Sequence, residues 1–300
     1  MPKTSSASTL KAVLAIVVSV LALSLGDAII KAANLSLPLW QMFILRSALT
    51  ILPLMLLVWH RGAGFRVSRW AVLRSVLLVV MWLSYYVSLP RVPLSLAAAA
   101  YYTSPIFILI IVAVLSRKIP SVRALLAIVL GFVGVLFVIR PDMAGFDGAA
   151  LLPVLAAILY ACAMVLTSTK CQRDDPFVLA VVLNVAFILS GLLLGMFSGV
   201  KGSFLVGPWQ PVNVDLMLMV AALAVLILIG SVGAAVAYQI GPPAVVAAFD
   251  YSYLVFSVIW GMVWFGEMPD FWGFAGIVLI ASAGLVAAQR EKVKAAMSRD

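Results

Sequence analysis

The chain has 300 residues, of which 65% are hydrophobic and only 10% are charged, and its mean hydropathy is +1.19. A soluble domain carries roughly 25% charged residues, so this composition excludes a soluble fold. The apolar runs are about 20 residues long and do not alternate with polar residues, which indicates membrane-spanning helices rather than a β-barrel.

Ten transmembrane helices are predicted in chain order, with boundaries at clusters of charged residues, Gly and Pro. The chain is therefore expected to be an all-α membrane protein with little of its length outside the bilayer. The predicted spans are approximately 10–32, 38–59, 71–90, 94–116, 122–140, 149–170, 176–199, 215–240, 244–265 and 270–289.

The Lys and Arg residues fall mainly on one side of these spans. If the N-terminus is cytoplasmic, most of them, including Arg74 and Lys170, lie on the cytoplasmic side, whereas Arg91 and Lys201 lie outside. The positive-inside rule then predicts that both termini are cytoplasmic in a multi-pass protein of a bacterial cytoplasmic (inner) membrane. This bias and the anionic lipid of the bilayer account for the net charge of +9, so no nucleic-acid partner is expected.

Three charged residues interrupt the first two spans: Asp27, Lys31 and Arg46. Asp27 and Lys31 share one helix face, and Arg46 lies about 12 Å inside the membrane boundary. Because a lone charge in lipid is costly, we expect an ion-pair cluster that joins the two helices. Two roles remain open. The cluster locks the helices together, or Arg46 or Lys31 holds a substrate carboxylate or phosphate while Asp27 holds a cation or a coupling proton.

Asp250 is a second acid at depth, roughly 10 Å from the inner boundary and without a base nearby in sequence. It is predicted to bind substrate or, like Asp27, to carry a coupling proton; the alternative is an acid that hydrogen-bonds a neighbouring Tyr or Ser for packing. Aromatic residues at similar depth are expected to stack on a planar or cationic solute, or else to pack in the core. They are Trp82, Tyr85, Tyr101, Tyr102 and Tyr251.

The two halves of the chain resemble each other. The segment PLSLAAAAYYTSPIF at 93–107 aligns with PPAVVAAFDYSYLVF at 242–256, so that Tyr102 falls on Tyr251. Five spans in each half would turn the second copy upside down, as in the inverted repeats of secondary transporters. The predicted organisation is a first repeat at 1–145, an inverted second repeat at 146–290 and a cytoplasmic tail at 291–300.

Small residues on the seventh span form a double GxxxG pattern at Gly191, Gly195 and Gly199. This spacing favours close helix packing, and we expect that packing to lie within the bundle rather than at a dimer seam. The protein is accordingly expected to be a monomer or a weak homodimer.

Few residues of catalytic type are present. The one histidine, His60, lies in a basic loop, and two cysteines, Cys162 and Cys171, have no metal-binding spacing. HExxH, GxSxG and phosphate-binding Gly-rich motifs do not occur in the sequence. No enzymatic activity, metal or cofactor is therefore expected.

The sequence resembles a known family, the EamA branch of the drug/metabolite transporter superfamily, over about residues 10–289. The similar segments are SLGDAIIKA with Lys31, PLWQMFILRS with Pro38 and Arg46, PLSLAAAAYYTSPIF, and GEMPDFWGFAGIVLI with Gly276 and Gly284. In the first half SRKIPSVRALLAIVLGFVGV keeps Gly131 and Gly134 but has Arg117-Lys118 in place of the usual GE.

The resemblance implies ten helices, a central cavity and alternating-access transport of small organic metabolites such as amino acids, riboflavin or nucleotide derivatives. The sequence of the first two helices is most similar to that of members that handle riboflavin or S-adenosylmethionine. Protons or a counter-solute are candidate coupling partners. The alternatives are an exporter of toxic compounds, a membrane-embedded enzyme, a lipid-handling protein and a structural scaffold.

Overall fold

The computed structural model of the protein describes residues 6–32, 37–61, 65–88, 91–92, 94–117, 119–139, 148–266 and 268–296. Within these ranges the chain forms α-helices, one short 3-10 turn and no strand. The helices are α1 (Ser6–Ala32), α2 (Leu39–His60), α3 (Arg69–Ser88), α4 (Leu94–Tyr101), α5 (Ser104–Ser116), α6 (Val122–Ile139), α7 (Leu151–Thr169), α8 (Pro176–Gly195), α9 (Val214–Ile240), α10 (Pro243–Asp250), α11 (Ser252–Phe265) and α12 (Phe271–Ala296).

Each predicted span coincides with one helix or with two consecutive helices, so the all-α prediction is confirmed. Seven described segments are long and apolar enough to cross a membrane: Ala7–Ile30, Leu39–His60, Arg69–Ser88, Leu151–Thr169, Pro176–Gly195, Val214–Ile240 and Pro243–Phe265. Three further apolar helices are shorter, at Ser104–Ser116, Val122–Val138 and Phe271–Val286.

Two predicted spans are interrupted near their middle. The span 94–116 breaks at Tyr102 and Thr103, and the span 244–265 breaks at Tyr251. A hydroxyl side chain competes with the helix at each break, because Thr103 Oγ1 donates to Ala100 O (2.5 Å) and Ser252 Oγ donates to Phe249 O (2.6 Å). Pro105 lies in the first turn of α5 and has no backbone N–H to donate, so it cannot continue the helical hydrogen bonds of α4 across the break.

The helices pack in a small number of close pairs: α6 with α12, α1 with α9, α2 with α8, and α3 with α7. We call the end of the bundle where α1 begins the proximal end, and the end where α1 finishes the distal end. In a continuous up-and-down bundle α2 begins at the distal end, while α3 and α10 begin at the proximal end.

Glycines allow two of these pairs to approach closely. A Cβ on Gly276 would lie 2.6 Å from Gly134 O, and a Cβ on Gly134 would lie 2.8 Å from Gly276 O, so α6 and α12 cross at these residues. A Cβ on Gly191 would lie 2.8 Å from Trp40 O, and one on Gly195 would lie 2.9 Å from the Trp40 ring. The GxxxG prediction of packing within the bundle is therefore confirmed for the first two of its glycines.

The segment between α8 and α9 is tied to the distal start of α2. Gln41 and Gln210 exchange two hydrogen bonds, from Gln41 Nε2 to Gln210 O (2.8 Å) and from Gln210 N to Gln41 Oε1 (2.9 Å). Trp40 Nε1 donates to Gly207 O (2.9 Å), and Leu39 N donates to Phe204 O (2.7 Å). These bonds satisfy backbone groups that would otherwise be left unpaired at the start of α2 and in the connecting segment.

The crossing of α6 and α12 gives a direct test of the packing. Gly276→Val should lower the stability of the purified protein by about 1–3 kcal/mol, because the added side chain meets a backbone oxygen that cannot turn away. The measurement is the apparent melting temperature in detergent. Gly148→Val is the matched control, since a Cβ at Gly148 meets no atom within 4 Å. Equal melting temperatures for the two variants would contradict the close crossing.

Candidate functional site

Asp27 lies near the distal end of α1 and is bonded to the second broken span. Its Oδ2 accepts a hydrogen bond from the hydroxyl of Tyr253, which belongs to the first turn of α11. One turn earlier on α1, Ser24 Oγ accepts a hydrogen bond from Trp260 Nε1 (3.1 Å) of the same helix. Asp27 is nevertheless exposed, so this carboxylate borders open space while α1 and α11 are held together around it.

Asp250 ends α10, directly before the break at Tyr251, and is held from two other helices. Its Oδ2 accepts a hydrogen bond from Tyr160 OH (2.7 Å) on α7 and another from Tyr238 OH (3.2 Å) on α9. The alternative that the sequence left open, an acid bonded to a tyrosine, is thus present in the structure. Tyr160 is 90 residues from Asp250 and Tyr238 is 12 residues from it, and the two bonds join α7, α9 and α10.

All eight tyrosines of the chain belong to one network around these two acids. Ring centroids are 5.6 Å apart for Tyr85 and Tyr101, 5.8 Å for Tyr101 and Tyr160, and 5.8 Å for Tyr102 and Tyr253. The remaining members join through neighbouring rings or through Asp250. The eight are Tyr85, Tyr86, Tyr101, Tyr102, Tyr160, Tyr238, Tyr251 and Tyr253. We call this set, with Asp27 and Asp250, the acid–tyrosine network.

The predicted aromatic residues are placed in or beside this network. Trp82 stacks on Tyr86, with centroids 5.4 Å apart and an interplanar angle of 19°. Tyr251 is fully buried and packs on the first broken span, with its ring 6.3 Å from that of Tyr102. A Cβ on Gly131 would overlap the Tyr251 ring, which explains the need for glycine at that position of α6.

The expected ion pair between Asp27 and Arg46 is not formed, and this part of the sequence prediction is wrong. Arg46 is only 9% exposed, and its guanidinium carbon lies 5.6 Å from the ring centre of Phe43 and 5.0 Å from that of Phe187. The two rings provide cation–π contacts instead of a carboxylate.

The third member of the predicted charge cluster is Lys31, whose side chain lies outside the described residues. Arg46 Nε is buried and has no hydrogen-bond partner in the described part of the chain. A buried donor without a partner is costly, and it is suited to an acceptor that a bound molecule would bring.

Three residues of this region were missed by the sequence prediction. Tyr160 and Tyr238 were not singled out, although their depth within apolar spans was a usable signal. Arg74 was assigned only to the cytoplasmic side and given no role, and it is 1% exposed, with its Nε donating to Thr167 Oγ1 (2.8 Å) between α3 and α7. The position of a base near a helix end does not show which way its side chain points, so the burial of Arg74 was not predicted.

A cavity of about 740 Å³ opens at the distal end among α1, α9 and α11. It holds none of the sequence-predicted site residues. Its lining residues are Ile29, Ala32, Gln210, Pro211, Asn213, Asp215, Leu216, Met219 and Trp264. Neither Asp27 nor Asp250 is among its lining residues, so the cavity does not define the candidate site.

Comparison with known proteins relates this arrangement to membrane transporters. Residues 10–140 match the family described as EamA-like transporter family. The chain is 27% identical over 276 residues to the pseudopaline exporter CntI of Pseudomonas aeruginosa, covering 90% of this chain and 93% of that protein. It is 25% identical over 240 residues to a riboflavin transporter of Brucella anthropi, covering 79% and 83%. It is 29% identical over 225 residues to a riboflavin transporter of Rhizobium johnstonii, covering 74% and 71%.

The fold is shared with a protein of known crystal structure at 17% sequence identity. The TM-score is 0.79, and the match covers 96% of this chain and 99% of that chain. The arrangement of helices is therefore one that a related backbone adopts in a crystal, while the side chains of the acid–tyrosine network belong to this sequence.

The bonds to Asp250 predict a measurable stability effect. Tyr160→Phe should lower stability by about 1.5–3 kcal/mol, because it removes one of the two tyrosine hydrogen bonds to the Asp250 carboxylate. Tyr238→Phe, whose bond is longer, should cost less. The measurement is thermal unfolding of each variant alone and combined with Asp250→Asn, as a double-mutant cycle.

Tyr251→Phe is the control for these variants, because the Tyr251 hydroxyl is 3.4 Å from Ile128 O and does not contact Asp250. It should show no coupling to Asp250→Asn. Coupling energies near zero for Tyr160 as well would contradict the network.

Proposed function

We propose that the chain is a member of the EamA-like transporter family, whose model matches residues 10–140, and that it moves a small organic metabolite across the membrane by alternating access to a central site. The observation that carries the proposal is the acid–tyrosine network, in which Asp27 and Asp250 each border a broken membrane span. Ionisable groups within spans are costly and face cavities or partners, which is typical of solute pathways. Broken helices at midplane depth are typical of substrate sites in secondary transporters.

The pairing of helices supports two inverted repeats, with boundaries near 145 and 290. If the first five spans correspond in order to the second five, α2 corresponds to α8 and α6 to α12, and each of these pairs is in close contact. Under the same correspondence α1 matches α7 and α9 matches α3. The α1–α9 pair in contact therefore has the α7–α3 pair as its counterpart, which is also in close contact. Tyr102 and Tyr251, which align in sequence, stand at equivalent breaks and contact each other. Rocking of one repeat against the other would expose the site alternately.

We place both termini in the cytoplasm and the protein in a bacterial inner membrane. The support is the excess of Lys and Arg on the proximal side together with the relation to bacterial transporters. In this orientation Asp27 lies in the outer half of the membrane and Asp250 in the inner half.

The chemistry of the site indicates a solute with both a planar or cationic part and an acidic part. Tyrosine rings and carboxylates attract a ring system or an amine, and Arg46 offers an unfilled donor to a carboxylate or phosphate. The roles named for the relatives, pseudopaline export and riboflavin transport, support the class of small organic metabolites. We propose Asp27, Lys31, Arg46, Trp82, Tyr85, Tyr101, Tyr102, Asp250 and Tyr251 as substrate-binding residues.

Transport is tested in sealed proteoliposomes that contain the purified protein. Radiolabelled riboflavin, amino acids, nucleosides and S-adenosylmethionine are offered one at a time, and at least one should equilibrate faster than in protein-free vesicles. Asp250→Asn should reduce that flux by about tenfold or more, since it removes a charge from the site. Asp215→Asn is the matched control, because Asp215 is an exposed acid in the first turn of α9. Equal flux in the two variants would contradict the proposed site.

The same vesicles test whether Asp27 or Asp250 couples transport to protons. With an acidic outside, uptake by the unaltered protein should accelerate, and a protonophore should remove the acceleration. Asp27→Asn or Asp250→Asn should abolish the response to the gradient while exchange of labelled for unlabelled solute persists. If both variants respond to the gradient as the unaltered protein does, proton coupling through these acids is excluded.

A further inference from the structure

Arg74 is a buried guanidinium that the proposed site does not use. It lies in the second turn of α3, is 1% exposed, and is held by one hydrogen bond from its Nε to Thr167 Oγ1 (2.8 Å). Its Nη1 is buried and has no hydrogen-bond partner in the described part of the chain. A neutral side chain would join α3 to α7 equally well, so helix packing alone does not account for a charged one.

No carboxylate among the described residues forms an ion pair with Arg74. The acid on the proximal side, Asp174, accepts a hydrogen bond from Ser68 Oγ (2.7 Å), and the acid on the distal side, Asp250, is bonded by two tyrosines. A buried charge without a partner is strongly unfavourable. An anion from outside the chain would therefore supply the partner that the buried Arg74 guanidinium lacks among the described residues.

Arg74 also lies between Asp250 and the proximal end of the bundle. Asp250 is hydrogen-bonded to Tyr160, and Thr167, two turns further along α7, accepts the hydrogen bond of Arg74. Cys171 follows in the turn between α7 and α8, where Asp174 N donates to Cys171 O (3.1 Å). These polar residues follow α7 from Asp250 to the proximal end, and we call them the polar route.

The route is closed in this conformation. Cys171 is 0% exposed, and Gln239 Nε2 at the end of α9 donates to Cys171 O (2.6 Å) and to Asp174 O (2.8 Å). Asp27, in contrast, is exposed near the distal end. In this conformation the exposed Asp27 borders open space, whereas Arg74 and Cys171 are enclosed.

We propose that Arg74 is an anion-binding subsite, specific for a carboxylate or phosphate group of the carried solute, on a route that opens between Asp250 and the proximal end of the bundle. The proposal rests on the proposed transport function. It adds that the solute carries an acidic group and that Arg74 receives this group after the distal side has closed.

Cys171 reports directly on the charge beside it. In a Cys162→Ser background it is the sole cysteine, and its rate of modification is measured with two methanethiosulfonates of similar size, the anionic ethylsulfonate and the cationic ethyltrimethylammonium. Both rates are divided by the rates with a free thiol. The ratio of anionic to cationic rate should fall by about tenfold in Arg74→Gln and persist in Arg74→Lys, since the charge and not the side-chain shape is at issue.

The ratio removes a second effect of Arg74 on the thiol. Burial and the neighbouring Asp174 raise the pKa of Cys171 to about 12, and Arg74 opposes this shift. Loss of Arg74 thus reduces the reactive thiolate for both reagents alike, while the ratio reports the electrostatic preference of the route. If Arg74→Gln does not fold, Arg74→Met combined with Thr167→Val replaces the polar pair by apolar groups and should show the same fall.

An unchanged ratio in the charge-removing variant would overturn the subsite, as would a Cys171 that neither reagent modifies. The outcome is independent of the flux assay. A fall in the ratio without flux of any tested solute would uphold the anion subsite and contradict the transport proposal for those solutes. Flux of a tested solute with an unchanged ratio would uphold the transport proposal and contradict the anion subsite.

Discussion

Two carboxylates placed inside an apolar bundle constrain the rest of this structure. A charge at such depth is tolerated only with partners, and here the partners are phenolic hydroxyls: Tyr253 for Asp27, and Tyr160 and Tyr238 for Asp250. Each bond crosses from one helix to another, so the acids determine which helices meet at the centre. Phenols suit this task because they donate a hydrogen bond to the carboxylate while presenting a ring to the apolar surroundings.

The backbone adapts to these contacts in two ways. In both broken spans a helix ends next to the network, at Tyr102–Thr103 and at Tyr251. At each break a side-chain hydroxyl donates a hydrogen bond to a nearby carbonyl oxygen. Glycines remove side chains where the helices must approach, as at the Gly134–Gly276 crossing and beneath the Tyr251 ring at Gly131. The glycines thus act through packing, which brings together the helices that carry the acids and tyrosines.

The sequence was sufficient for the helical spans, because they follow from the length of the apolar runs. It was insufficient for the partners. Tyr253 is 226 residues from Asp27, and Tyr160 is 90 residues from Asp250, so only the tertiary fold brings them together. The Asp27–Arg46 ion pair was predicted from charge and depth alone, and it failed because the Phe43 and Phe187 rings take the guanidinium. The burial of Arg74 was not predicted for a related reason, since it depends on the packing of α3 against α7.

The central claim is that the acid–tyrosine network binds the solute, and thermal stabilisation by ligand tests it most directly. A molecule that binds the folded state raises its apparent stability by mass action. The detergent-purified protein is melted against riboflavin, amino acids, nucleosides and S-adenosylmethionine, in unaltered form and as Asp27→Asn and Asp250→Asn. The account predicts at least one stabilising compound whose effect is lost when either acid is replaced. Stabilisation that persists unchanged in both variants would contradict it.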